Sequence, residues 1–495
     1  MGWIIFILGA IGWRIGMYGM FKKAGIEPWK ALVPFYTTWE IVKICKIKPI
    51  WFWLQLIPIV GQFTTIWITI IFIMHFGKVG FLSHTVAVFL PFIYLPYIGF
   101  SKEVRWGGSD ALKHYKKSVA REWADAAVFA IVAATIIRTF VFDAFVIPSE
   151  SMEKTLLIND FLFVNKLSYG PRIPMTPLSI PFVSNVMPFT TATPSYLKWV
   201  ELPYKRLPGF TTLKRNDVVV FNVPEGDTII PEFGSKNLYY DVLRESPYNG
   251  DREALFEQYP IIVHPMDKTD FYIKRCTGTP GDNIQFINGV LFVNNQAAYI
   301  PPESQIDYSV PTMGKFTTVE DLNDKTGINT TAGQLPPDSG YAVVNMTPGE
   351  KDIVEKFIGK KVAIALFPHD RPYFPYTPAS ASWTIDNFGP VHIPKKGEVI
   401  ALTPDNVAIY TRLITTYEGN TLDYQGGKYI LNGQPATSYT IKYNYYWMTG
   451  DNRHNSQDSR FWGFVPETCI VGKASLIWFS WNGGPRFSRM FRSIK

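Results

Sequence analysis

Two serines separated by one residue, Ser149 and Ser151, lie in the stretch Phe145-Val-Ile-Pro-Ser-Glu-Ser-Met-Glu-Lys-Thr-Leu156, directly after a long apolar segment. A serine hydroxyl becomes a working nucleophile only when a neighbouring base takes its proton. Seven histidines could supply that base: His75, His84, His114, His264, His369, His392 and His454. Spacing does not exclude a Ser-His-Asp triad, because triads are defined by geometry. No Gly-x-Ser-x-Gly elbow accompanies Ser151 to recommend one. Lysine is the other option. Lys274 sits in Phe271-Tyr-Ile-Lys-Arg275, which has the alternation of a strand. Desolvation disfavours the charged amine, so a lysine in apolar surroundings can act as a general base near neutral pH.

These residues need elements to carry them. The chain has 495 residues, more than one ordinary core, with 47% hydrophobic and 16% aromatic residues. The apolar excess crowds into the first 147 positions, which predicts membrane spans. Segments 2–21, 51–74, 81–100 and 124–147 are the candidates, with Pro91 and Pro96 predicting a kink in the third. Segment 2–21 lacks a basic leader and a small-residue cleavage site, so it reads as an uncleaved anchor with Arg14 at an interface. Lysines and arginines cluster in 22–50 and 101–123. The positive-inside rule places both loops in the cytoplasm and everything after residue 147 outside it. A topology in which the first segment does not cross leaves that conclusion unchanged. The net charge of +7 is modest and no basic-aromatic pattern points to nucleic acid.

From Pro148 onward the pattern changes to short alternating runs punctuated by Gly, Pro, Asn and Asp, which predicts many short strands. Asn288-Gly289 predicts a hairpin within Ile284–Tyr299, and Gly426-Gly427 and Asn432-Gly433 predict turns within Leu422–Tyr439. Stretches near 170–213 and 300–390, rich in Pro, Thr, Ser and Asp, read as surface insertions. The expected organisation is a membrane region 1–123, a final anchor 124–147, a first β portion 148–299, an inserted β-rich or loop region 300–420, a second β portion 421–482 and a basic tail 483–495. The tail fits either an anionic lipid surface or solvent. Cys45, Cys276 and Cys469 form no disulfide framework or metal spacing. Cys276 and Cys469 read as two small buried residues rather than a bridged pair. No metal or organic cofactor is indicated.

Four blocks, in order, resemble the bacterial type I signal peptidases, the leader peptidases with a Ser-Lys dyad. They are Ile147-Pro-Ser-Glu-Ser-Met152, Arg215-Asn-Asp-Val-Val-Val-Phe221, Tyr272-Ile-Lys-Arg-Cys-Thr-Gly-Thr-Pro-Gly-Asp282 and Met448-Thr-Gly-Asp-Asn-Arg-His-Asn-Ser-Gln-Asp-Ser-Arg-Phe-Trp-Gly-Phe-Val-Pro466. The resemblance covers about 124–169, 212–299 and 421–481. It does not cover the first three spans or the insertions; taken with those, it implies N-terminal transmembrane helices followed by a mostly β extracytoplasmic catalytic domain with large insertions, in a multi-pass protein of the bacterial cytoplasmic membrane. It implies removal of signal peptides from exported preproteins through an acyl-enzyme, with cutting after Ala-x-Ala-like residues. Ser151 would be the nucleophile and Lys274 the base. Ser149 and the Ser151 N–H would form the oxyanion hole. Ser456 would orient Lys274, Tyr272 would shield it, and Asp458 and Arg460 would form a supporting ion pair. Substrate would bind as an added strand along Phe145, Ile147, Pro148, Met152 and Ile273. The partners implied are signal peptides and the bilayer, with contact between the first three spans and an export channel as a further hypothesis.

The match has departures. Glu150 stands where the family often has glycine, Lys154 where proline is frequent, Asn216 for a usual glycine and His454 for a usual aspartate. Glu150 places a charge beside the nucleophile and bears on substrate preference. His454 reads as structural or solvated, and Asp282 and Asp451 as turn residues. Two other functions compete: a Ser-Lys peptidase with another task, such as autoproteolysis, and a binding protein on a degenerate peptidase core. The predicted external topology opposes the first and the intact Ser151–Lys274 pair opposes the second.

Overall fold

A computed structural model describes residues 2–113, 115, 119–190, 193–224, 228–230, 239–245, 247–248, 251–259, 262–338 and 340–495. His114, Lys116 and Lys117, counted above among the candidate bases and basic loop residues, lie outside the described residues. The chain forms two compact units, residues 1–138 with 173–189 and 193–203, and the remainder.

The first unit is helical. Helix Gly2–Lys23 packs along helix Pro91–Phe100. Glycines make this approach possible: a Cβ on Gly16 would lie 2.5 Å from the Leu95 carbonyl carbon, and one on Gly19 2.9 Å from Gly99. Among the described residues Arg14 has no acidic partner, and it donates to Ala31 O at 2.9 Å and Thr37 Oγ1 at 2.8 Å. Segment 51–74 is not one continuous helix. It divides into Ile50–Leu54 and Val60–Met74, with Pro58 in the break. Segment 81–100 bends at Pro91, as its prolines predict, by 120° between Phe89 and Pro91. Helix Glu122–Phe140 is long and apolar enough to cross a bilayer. It stops at Phe140, because Phe142–Val146 leaves the helix to pair as a strand, so segment 124–147 is part helix and part strand. Residues 173–189 and 193–203, read from sequence as an insertion on the β core, belong instead to this helical unit, where Gln62 Nε2 donates to Ser179 O at 3.1 Å.

The second unit is built on an eight-stranded antiparallel sheet. Its strands are β1 Phe142–Val146, β2 Asp160–Asn165, β3 Val218–Asn222, β4 Phe271–Gly278, β5 Tyr445–Thr449, β6 Val465–Pro466, β7 Ile470–Ser480 and β8 Arg492–Ser493. The order is β1-β2-β7-β3-β4-β5-β6, with β8 also on β7. β3 is central and buried at all five positions, which is why its sequence is a continuous apolar run and not an alternation. The turn entering it holds Asn216 at φ +74°. Asn tolerates the left-handed region best after glycine, which accounts for the replacement noted there.

The Asn288-Gly289 hairpin forms as the sequence predicts, with both residues at positive φ between strands Asn283–Ile287 and Val290–Val293. The three-stranded meander Leu422–Ala436 turns at Gly426-Gly427 and Asn432-Gly433. The inserted region carries strands and helices of its own between its loops. Strands Ile306–Pro311 and Tyr341–Met346 form the centre of a four-stranded sheet with its own core of Val310, Leu322, Val344, Met346 and Val354. Helix Pro348–Ile358 covers part of it, opened by a Thr347–Glu350 capping box and closed by Gly359 in the left-handed conformation. Cys276 and Cys469 are free, buried thiols of one apolar cluster.

Candidate active site

Lys274 Nζ lies 2.5 Å from Ser151 Oγ. Ser151 sits in the turn after β1, and Lys274 projects from the middle of β4. Both are nearly out of solvent, at 8% and 5% exposure. Burial pulls the Lys274 ammonium down to about 8, against the opposing pull of Asp458 and Asp451. Tyr272, two residues earlier on the same strand, presents its ring 5.6 Å from Nζ. Ser149 Oγ is 3.5 Å from Ser151 Oγ. The polar partners of Ser151 Oγ are this lysine and this serine, and no described histidine is among them.

The loop Gly450–Arg460 closes over the pair. Asn452 N donates to Ser151 O at 3.1 Å. Gly450 is a close approach: an added Cβ would fall 2.2 Å from Ser456 Oγ and 2.5 Å from Ser151 O. Asp458 receives Arg460 through Nε at 2.9 Å and Nη2 at 2.8 Å, with both side chains at or below 1% exposure. The pair is a buried fork, not the solvated surface pair that its spacing alone suggests. Burial opposes the Asp458 carboxylate, but Arg460 and two backbone N–H groups outweigh it and hold its pKa low. Ser456 differs from its expected place. Its Oγ donates to Asp458 Oδ2 at 3.0 Å, and among the described residues it makes no hydrogen bond to Lys274.

Asp451 is more than a turn residue. Arg275 grips it through Nε at 2.7 Å and Nη2 at 2.6 Å, and Thr155 Oγ1 adds a third bond at 2.6 Å. The sequence carried a signal for this: Arg275 follows the candidate base directly, and Asp451 lies in the other long motif. Asp282, by contrast, is a turn residue as read, accepting from Thr279 N and held by Arg215.

His454 is structural, as expected, but buried and not solvated. Asp307 N donates to Nδ1 at 3.2 Å, and Nε2 lies 2.8 Å from Asp386 Oδ1. Two aspartates of the inserted region thereby hold the loop. Gln305 N also donates to Asp451 O at 2.7 Å, and Arg453 N to Gln305 O at 2.8 Å. Lys154 reaches the same region, pairing with Glu350 and donating to Asn329 O at 2.8 Å. The insertion therefore braces both walls of the site, a role that its composition did not suggest.

Ser151 follows β1 and Lys274 lies on β4. Among the described residues β1, at the sheet edge, pairs only with β2. β5 pairs with β4 from Arg275 onward and not along Phe271–Ile273. The Phe145 and Phe271 rings meet at 5.0 Å between β1 and β4. Phe145 and Ile273 are half-buried and Pro148 is exposed. Ile147 and Met152 are at 2% and 0% exposure, packed with Leu156, Leu162 and Val218, so they back the site from the core and do not line its surface.

Residues 120–481 match the family described as signal peptidase, peptidase S26. Residues 29–109 match a family of unknown function, DUF5684. Among curated proteins, the chain is 27% identical to a signal peptidase I of Buchnera aphidicola subsp. Schizaphis graminum, covering 72% of this chain and 76% of that one. It is 24% identical to a signal peptidase I of Haemophilus influenzae, over 74% of each chain. It is also 24% identical to a signal peptidase I of Helicobacter pylori, over 74% of this chain and 90% of that one.

Proposed function

The chain belongs to the signal peptidase family, peptidase S26, and from that premise we propose that it removes signal peptides from exported preproteins by a Ser151–Lys274 dyad. As a family member it is a serine endopeptidase, a hydrolase of peptide bonds. The observation that carries the finer reading is the 2.5 Å approach of Lys274 Nζ to Ser151 Oγ, with both residues buried.

In this mechanism, the segment before the cut enters a slot between β1 and β4 as an added strand. Neutral Lys274 takes the proton of Ser151 as Oγ attacks the scissile carbonyl. Ser149 Oγ–H and the Ser151 backbone N–H receive the developing oxyanion. Lys274 then protonates the leaving amine, and an acyl-enzyme remains on Ser151. Water, deprotonated by the same lysine, releases it. Shallow walls at the slot favour small residues at the first and third positions before the cut. Asp458 and Arg460 fix the loop that closes the site.

The helix Glu122–Phe140 is proposed to cross the cytoplasmic membrane and to deliver the β unit to its outer side, where Ser151 follows within about a dozen residues. Further crossings by the preceding helices, and contact of those helices with an export channel, belong to the same proposal. The test is cleavage of a preprotein ending its signal in Ala-x-Ala, in detergent and lipid. Cleavage by the native chain, lost in folded Ser151→Ala and Lys274→Ala, supports the reading. Full activity of Lys274→Ala overturns the dyad, and an inactive native chain overturns the function.

A further inference from the structure

Glu150, between the two serines, has no counterpart in the catalytic chemistry above. Its side chain is exposed, and its carboxylate accepts from Asn455 Nδ2 at 3.1 Å, a neutral partner on the closing loop. Among the described residues no cation pairs with it. The charges around it are already committed: Lys154 to Glu350, Arg275 to Asp451 and Arg460 to Asp458. Arg453, on the same loop, has its guanidinium over the Phe286 ring at the 283–293 hairpin. Lys274 is neutral in its working state. Among the described residues Glu150 therefore carries a negative charge with no ion-pair partner. Glu153 lies near it: burial first, and then the nearness of Glu150, push the Glu153 carboxyl above its usual range, against the opposing pull of Arg489, Lys154 and Arg486.

The position of this charge follows from the chain path. β1 forms one wall of the slot and runs directly into the turn that holds Ser149, Glu150 and Ser151. A substrate strand lying along β1 reaches the nucleophile at the end of the slot. The residues after the cut must then leave past the turn.

We propose that Glu150 is a specificity-determining residue for the released side of the substrate, favouring lysine or arginine at the first or second position after the cut. This rests on the dyad and slot assigned above. Glu150 acts by charge complementarity with the leaving chain and takes no part in proton transfer.

The test uses the full-length enzyme in detergent micelles and three peptides with the same Ala-x-Ala segment, bearing Lys, Gln or Glu directly after the cut. For the native enzyme, kcat/KM is expected to be about 5- to 10-fold higher for Lys than for Glu, with Gln between and the ratio falling in high salt. In Glu150→Gln the Lys-to-Glu ratio should fall towards one, and in Glu150→Lys it should invert. Equal rates on all three peptides, or a ratio unchanged in Glu150→Gln, overturn this inference alone. No cleavage of any peptide overturns the functional reading and this inference with it.

Discussion

Arg275 holds Asp451 by two hydrogen bonds, 2.7 and 2.6 Å long, with both side chains at or below 2% exposure. Arg275 is the residue after the candidate base, and Asp451 opens the loop that covers the candidate nucleophile. One buried ion pair thus sets the spacing between strand β4 and the closing loop. A buried pair adds little net stability over an apolar substitute, but removing one partner strands the other. Asp451→Ala is therefore expected to destabilise the protein by about 3–5 kcal/mol. The double replacement Arg275→Met with Asp451→Leu should recover much of that loss. Thermal melts of the detergent-solubilised chain decide it, and equal losses in the single and double variants would contradict the pairing.

The base sets a pH dependence. As the proposed base Lys274 would work as the neutral amine, and burial has lowered its pKa to about 8. The acid limb of kcat/KM should therefore rise with pH and level off above about 8. A profile that levels off near pH 6 would point to a histidine base.

The same shift has a consequence for stability. The unfolded chain holds this proton up to the ordinary lysine range, while the folded chain releases it at about 8. Between those values the unfolded state binds more protons, so this residue makes stability increase as pH rises through that window. Below it the buried charge is a full penalty. Lys274→Met should abolish cleavage yet raise stability at pH 7 by about 1–3 kcal/mol. The gain should shrink as pH is raised towards 10. A destabilised Lys274→Met at pH 7 would mean that the lysine is not a buried charge.

His454 titrates with the opposite sign. Burial disfavours its charged form, but the side-chain carboxylates of Asp307 and Asp386 on either side of the ring outweigh that and raise its pKa. Its electrostatic contribution is present below the unfolded histidine value and is lost as pH climbs through the raised one. His454→Ala leaves two buried aspartates without this partner, and a loss of about 2–4 kcal/mol is expected. The loss should be larger at pH 6 than at pH 8, as read from melting curves at both values.

Gly450 is a steric test of the closed loop. Its missing Cβ would collide with Ser456 Oγ and Ser151 O. Gly450→Ala should lower kcat by roughly 100-fold through displacement of the loop, with a smaller effect on folding. Activity near that of the native enzyme would show that the loop does not pack this closely on the nucleophile.

Much of the site was legible because its motifs are local. Ser151 stands in a short motif, and Lys274 lies on a strand whose alternation is visible. The hairpin at Asn288-Gly289 and the meander turns were legible for the same reason, since each needs a positive φ that only a few residue types supply. The helical unit was less legible. Hydropathy reports how apolar a segment is and not where it bends, so the break near Pro58 and the end of the helix at Phe140 were hidden in continuous apolar runs, whereas Pro91 marked the place of the bend but not its 120° size.

By itself, the sequence determined the chemistry on offer: a serine, a lysine in apolar company, and a loop of Asp, Ser and Arg at fixed offsets. The tertiary structure decided how that chemistry is held. It gave Ser456 to Asp458 and not to Lys274, made Asp451 a buried anchor for Arg275, and turned the inserted region into a brace through His454. These contacts join residues tens to hundreds of positions apart, apart from the local Ser456–Asp458 bond. A side chain's partner across such distances depends on which strands pair and in what register, and no local pattern of residues encodes that.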